Sequence, residues 1–107
     1  NMEQLFAYGT LKDKYIQETI FGRILKGTPE TLVGYVINEI HIEEEFGFAQ
    51  YPIITPTHNP EDTISGILYE LTEIQLQQAD TYEGLHYKRI QVELQSNQTA
   101  WVYTATT

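Results

Sequence analysis

The chain has no cysteine, which excludes disulfides, thiolate nucleophiles, zinc fingers and iron–sulfur sites. The fold must hold without covalent staples. Basic residues are scarce: six lysines and arginines stand against fifteen aspartates and glutamates, for a net charge of −9. That balance argues against nucleic acid or an anionic lipid surface as a partner. No apolar run approaches the length of a membrane span, and none follows a basic start as in a secretory signal. The default expectation is a cytoplasmic protein with no membrane association. Asn1 before Met2 reads as the remnant of an expression tag, with Met2 the native start.

Familiar catalytic motifs are missing too. There is no phosphate-binding G-x-x-x-x-G-K-[ST] loop, no G-x-G-x-x-G and no G-x-S-x-G elbow. His41-Ile42-Glu43 has the form of half a zinc-deaminase motif, but the cysteine half cannot exist here. His41, His58 and His86 lie far apart with no ligand spacing. A metal site could arise only by tertiary convergence of residues distant in sequence. Asn97-Gln98-Thr99 matches a glycosylation sequon, which means little without a secretion signal.

The chain is nonetheless built to fold. Its 107 residues fit one domain, with 41% hydrophobic and 12% aromatic residues. Eight tyrosines are a heavy ring load for one small core. Rings with polar tips suit a wall that is part core and part pocket. Plain core packing remains the simpler reading for most of them. Charge is uneven: up to Gly27, Lys12, Lys14, Arg23 and Lys26 outnumber the acids, whereas beyond it only Lys88 and Arg89 are basic. The early basic residues could favour a small anion or simply form a solvated helix face.

Periodicity predicts a strand over Gln4–Tyr8 and a short helix over Lys12–Phe21, where Tyr15, Ile16, Thr19 and Ile20 recur at helical spacing. Gly22 and Gly27-Thr28-Pro29 read as breaks. Thr31–Ile42 reads as a long strand bent at Gly34, Glu43–Glu45 as a solvated turn, and Phe48–Thr57 as an irregular stretch around a short Ile53-Ile54 strand. Residues 58–62 read as a loop and Thr63–Leu71 as a strand. Thr72-Glu73-Ile74-Gln75 has the form of a capping box, opening a helix that runs to Thr81 or Tyr82 and stops at a left-handed Gly84. Tyr87–Gln95 alternates, with Ile90, Val92 and Leu94 on one face. Thr99–Thr104 returns as its hairpin partner. The order is not a repeating βαβ, so the fold class is α+β with a mixed, strongly curled sheet.

Two features could carry chemistry. A strand ending at Gly9 and leading into a helix leaves backbone N–H groups free for a carboxylate or phosphate, although an ordinary turn explains the same residues. Glu83 follows the last turn of the second helix, where the macrodipole disfavours negative charge. Tyr82, Leu85 and Tyr87 could desolvate it further, with Lys88 and Arg89 acting the other way. A carboxylate so placed is a candidate general acid or base. A frayed, exposed glutamate is the bland alternative.

In order along the chain come Tyr8-Gly9-Thr10-Leu11 with Lys12, Tyr51-Pro52-Ile53-Ile54, Gly66-Ile67-Leu68-Tyr69, Asp80-Thr81-Tyr82-Glu83-Gly84, then Tyr87 and Arg89, and Ala100-Trp101-Val102-Tyr103. This ordered set resembles the γ-glutamyl cyclotransferase superfamily in its AIG2-like branch, and the Y-G-T-L-K form is most similar to the γ-glutamylamine cyclotransferase type. The resemblance implies a small, partly closed β-barrel of five to six strands with two flanking helices. It implies that backbone groups of Tyr8, Gly9, Thr10 and Leu11 hold a substrate α-carboxylate. It puts Glu83 in the position of the catalytic acid/base, with Tyr87 and Tyr103 as pocket walls. The partner so implied is a small γ-glutamyl amine or peptide. Such a substrate carries its own nucleophile and is converted to 5-oxoproline with no metal or cofactor. A module that binds a small carboxylate in the same pocket without turnover is the competing reading. A structural or interaction domain without a pocket is a third. Oligomeric state is left open.

Overall fold

The computed structural model describes residues 2–44 and 47–106. Seven strands and two α-helices are formed: β1 (Met2–Ala7), α1 (Lys14–Phe21), β2 (Gly27–Val33), β3 (Tyr35–Glu44), β4 (Gly47–Pro56), β5 (Thr63–Thr72), α2 (Glu73–Glu83), β6 (Tyr87–Glu93) and β7 (Thr99–Ala105). A single 3₁₀ turn, Thr10–Lys12, links β1 to α1. Five strands make one sheet in the order β2-β5-β1-β7-β6, and β3 and β4 make a separate two-stranded ribbon. The fold class is α+β with two flanking helices, as the residues imply, and the five-stranded sheet remains open.

β1 sits at the centre. It runs antiparallel to β5, from Met2 opposite Thr72 to Ala7 opposite Ile67. It runs parallel to β7, with Leu5 opposite Trp101. Successive side chains on a strand point to opposite faces. Leu5 and Ala7 therefore join one core cluster with Leu71, Leu76 and Ala79, while Phe6 joins the other with Leu32, Ile54, Leu68 and Val102. The first cluster is closed by the helices and the second by the β3–β4 ribbon. Fully burying side chains such as Leu5, Phe6 and Leu71 contributes about 1.5–3 kcal/mol each. The close approach of β1 and β5 also explains Gly66: a Cβ there would lie 2.6 Å from the Ala7 carbonyl and 2.6 Å from the Phe6 ring.

Several local expectations change. Gly27-Thr28-Pro29 is not a break but the start of β2, paired with Tyr69, Leu68 and Ile67. β2 is an edge strand, where proline's missing donor costs no ladder bond. The expected long strand over Thr31–Ile42 is divided at Gly34, whose φ of 86° redirects the chain from one sheet to the other. Gly34 N–H donates to Asp62 O at 2.7 Å, and its carbonyl accepts from Thr57 N–H at 2.8 Å. Glu43 and Glu44 continue β3 instead of turning, and the stretch expected to be irregular is a continuous β4 paired with β3. Glu45 lies outside the described residues.

The helices begin where side chains can cap them. The Asp13 carboxylate accepts from Tyr15 N–H (2.8 Å) and Ile16 N–H (3.2 Å), so α1 begins at Lys14 rather than Lys12. The capping box of α2 is complete: Gln75 N–H donates to Thr72 Oγ1 at 3.1 Å, and the Gln75 side chain accepts from Thr72 N–H at 2.9 Å. α2 runs one residue past its expected end, to Glu83. Gly84 then takes φ 80° and ψ −165°. That is not the left-handed helical region expected but one open essentially to glycine alone. Among the described residues, no helix is long and apolar enough to cross a membrane.

Candidate active site

The end of β1, the end of α2, β4, β6 and β7 converge on one cavity of about 360 Å³. It is lined by Tyr8, Gly9, Thr10 and Leu11 from the opening turn, by Glu83 from the last position of α2, and by Tyr87 and Tyr103. Every residue singled out as a candidate therefore faces the same space. Phe6, Ala7, Tyr51, Pro52 and Tyr82 complete the lining.

The opening turn is held from below and from the side. Lys12 N–H donates to Gly9 O and Asp13 N–H to Thr10 O, closing the 3₁₀ turn. The first N–H groups of such a turn have no partner within it. Gly9 lies against the ring of Pro52, where an added Cβ would meet Cγ at 3.7 Å. Thr10 Oγ1 and the Tyr82 hydroxyl share a hydrogen bond of 2.7 Å that joins the turn to the end of α2. Beneath, Gln17 is 1% exposed. Its amide donates to Leu11 O at 2.8 Å and accepts from Leu25 N–H at 2.9 Å. A buried polar side chain with both ends satisfied fixes the backbone it grips.

The tyrosines hold one another in place. Tyr8 OH donates to the Tyr103 carbonyl (2.6 Å), Tyr87 OH to the Pro52 carbonyl (2.7 Å), and Tyr103 OH to Asp80 Oδ1 (2.7 Å). The Tyr87 bond ties β6 to the ribbon and so brings Tyr51 and Pro52 to the cavity. Burial raises all three phenols, Tyr87 to about 12, and the Glu83 charge adds to the rise. They are neutral hydrogen-bonding walls at ordinary pH.

Glu83 sits at the last position of α2 and lines the cavity. Burial pushes its carboxyl from 4.5 up to about 7. Leu85, expected to help desolvate it, is 92% exposed and contributes nothing. Arg89 does not counter the rise. It is engaged by Asp80, with Nε to Oδ1 at 2.5 Å and Nη2 to Oδ2 at 2.9 Å, the one ion pair among the described residues. A carboxyl poised near neutrality can give and take protons in the same cycle.

The tyrosines could be noticed in the sequence by their number but not assigned to walls. Tyr51, Pro52 and Tyr82 stand within the ordered motifs, and Tyr82 beside Glu83, but nothing in the sequence assigned Tyr51 and Pro52 to the cavity. Gln17 carried none, because it sits among helical positions where a polar residue normally faces water.

An open α+β sheet whose central strand ends in a turn that shares one cavity with a buried carboxyl defines a small pocket protein. The chain belongs to the γ-glutamyl cyclotransferase family, AIG2-like, whose profile matches residues 5–107. A solution structure from Arabidopsis thaliana superposes with a TM-score of 0.74 at 21% identity, over 98% of this chain and 61% of the plant one. The crystal structure of an uncharacterized Homo sapiens protein gives 0.78 at 17% identity, over 99% and 68%. A structure described as a gamma-glutamyl cyclotransferase gives 0.77 at 16%, over 100% and 68%. At these identities the likeness is one of fold, and this chain spans 61–70% of the length of the first four such structures. No curated protein sequence matches the chain significantly.

Proposed function

We infer that the protein converts a γ-glutamyl amine or peptide to 5-oxoproline and free amine. The observation that carries this reading is that Glu83 and the Tyr8–Leu11 turn line one cavity. The turn's N–H groups suit an α-carboxylate. With that group held, the substrate's α-amine and its side-chain carbonyl carbon can be folded together to close a five-membered ring. Such pre-orientation is worth up to roughly 7–11 kcal/mol in intramolecular reactions.

Glu83 handles the protons. As a carboxylate it takes one from the α-ammonium and frees the nucleophile. The nitrogen attacks the side-chain carbonyl, and the amide C–N bond then breaks as Glu83 returns a proton to the departing nitrogen. Two protons leave the attacking nitrogen in all, and both end on the released amine. The nucleophile belongs to the substrate, so the reading assigns no nucleophilic role to any side chain of the protein. The described lining contains no lysine, arginine or histidine. This favours leaving amines without a carboxylate over peptides that carry one.

The test is release of 5-oxoproline from a panel of γ-glutamyl alkylamines and γ-glutamyl dipeptides, with Glu83→Gln in parallel. Turnover that Glu83→Gln reduces by about 10²-fold or more is expected. Full turnover by that variant would remove Glu83 from its role. Ligand-induced thermal stabilisation with no product from any compound would favour the binding module instead.

A further inference from the structure

Behind the cavity lies a second one of about 300 Å³, lined by Asp80, Tyr87, Lys88, Arg89, Trp101 and Tyr103. The two cavities share Tyr87 and Tyr103 as a common wall. On the near side stands Glu83. On the far side stand Lys88 and Arg89, the only basic residues beyond Lys26. Arg89 is held there by three contacts: both oxygens of Asp80, and the face of Trp101 at 4.5 Å. Asp80 also accepts from Tyr103 OH, so it fixes the wall as well as the cation.

We propose that Asp80 is a positioning residue that keeps the Arg89 guanidinium on the far side of the Tyr87–Tyr103 wall, so that Glu83 works as an unpaired acid. The inference concerns the same pocket as the cyclotransferase reading and rests on that reading only for its catalytic meaning. The long Arg89 side chain is only 23% exposed, and Asp80 is 38% exposed. If the Asp80 carboxylate is removed, the guanidinium keeps its charge but loses its two-point partner. Glu83 lies three residues further along α2, across the wall that the two cavities share. An opposite charge brought within about 4–6 Å favours the ionised carboxylate. The other groups facing Glu83 are Tyr8 at the end of β1, Tyr51 on β4, Tyr82 on α2, Tyr87 on β6 and Tyr103 on β7. Among the described residues none of these carries positive charge, and the cations across the shared wall are Lys88 and Arg89, of which Arg89 is the one Asp80 holds. Lys88 is exposed beside it.

The test reads the Glu83 carboxyl directly, by ¹³C NMR titration of the substrate-free protein. Asp80→Asn is expected to lower the Glu83 midpoint by about one pH unit or more. Asp80→Asn combined with Arg89→Gln is expected to return it to the parent value. Arg89→Lys, which keeps the charge but loses the two-point fork, is expected to give a smaller fall and serves if Asp80→Asn does not fold. Tyr103→Phe, which leaves the ion pair intact, is expected not to move the midpoint. A midpoint unmoved in both Asp80→Asn and Arg89→Lys, or a fall that the double variant does not reverse, overturns the proposal. The titration needs no turnover, so its failure is distinct from failure of the cyclotransferase reading. Where turnover is found, the acid limb of the pH–rate profile shifts with the NMR midpoint.

Discussion

The two sides of the Tyr87–Tyr103 wall solve opposite problems with similar residues. On the far side a carboxylate, Asp80, is fully engaged: it accepts from Arg89 twice and from Tyr103. On the near side a carboxyl three residues later on the same helix is surrounded by rings, and burial raises it to about 7. Sequence distance, helix and residue chemistry are nearly the same. What differs is solvation and the presence of a cation, and these decide whether an acid is structural or reactive.

Substitution at Glu83 breaks the comparison most severely. Glu83→Gln should keep the fold while reducing 5-oxoproline release by about 10²-fold or more, measured as kcat with the best γ-glutamyl amine. The next effect is on stability. A carboxyl whose folded value, about 7, exceeds its ordinary 4.5 binds more protons in the folded chain between those values. Its contribution is complete below about pH 4.5 and is lost as pH rises through about 7. Denaturant unfolding should show stability falling by about 1–3 kcal/mol across that window, with Glu83→Gln flattening the slope. Arg89→Leu on the far side should cost about 1 kcal/mol, because solvent reaches both partners of the pair. Urea midpoints would read it. Tyr103→Phe should cost a similar amount, about 0.5–1.5 kcal/mol for one lost hydrogen bond, and thermal melting would resolve it.

Much of this was legible from residues. The capping box at Thr72–Gln75, the β6–β7 hairpin and the turn at Gly9 each rest on local chemistry that the sequence displays. β4 was not legible, because Pro52 and Pro56 argue against a strand. A two-stranded ribbon leaves each strand a free side where a missing donor costs nothing. The Asp80–Arg89 pair was equally hidden: it joins a helix to a strand across a turn, and no periodicity predicts that approach. Glu83 was found through its place at a helix end. Its raised pKa comes from burial by rings brought from four other elements, which only tertiary structure could reveal.

The cavity draws on residues 6–11, 51–52, 82–83, 87 and 103. Its base is β1, which must find β5 some sixty residues later and β7 nearly a hundred later. Loop closure over such spans must come before those contacts reward it. No fragment of the chain can therefore present the pocket, and a nascent chain cannot bind ligand until β7 is in place. Slow folding, in the range of β-rich domains, is the expected consequence. Ligand protection should appear against global unfolding rather than local fraying, so amide exchange in β1, β5 and β7 should slow together when the pocket is filled.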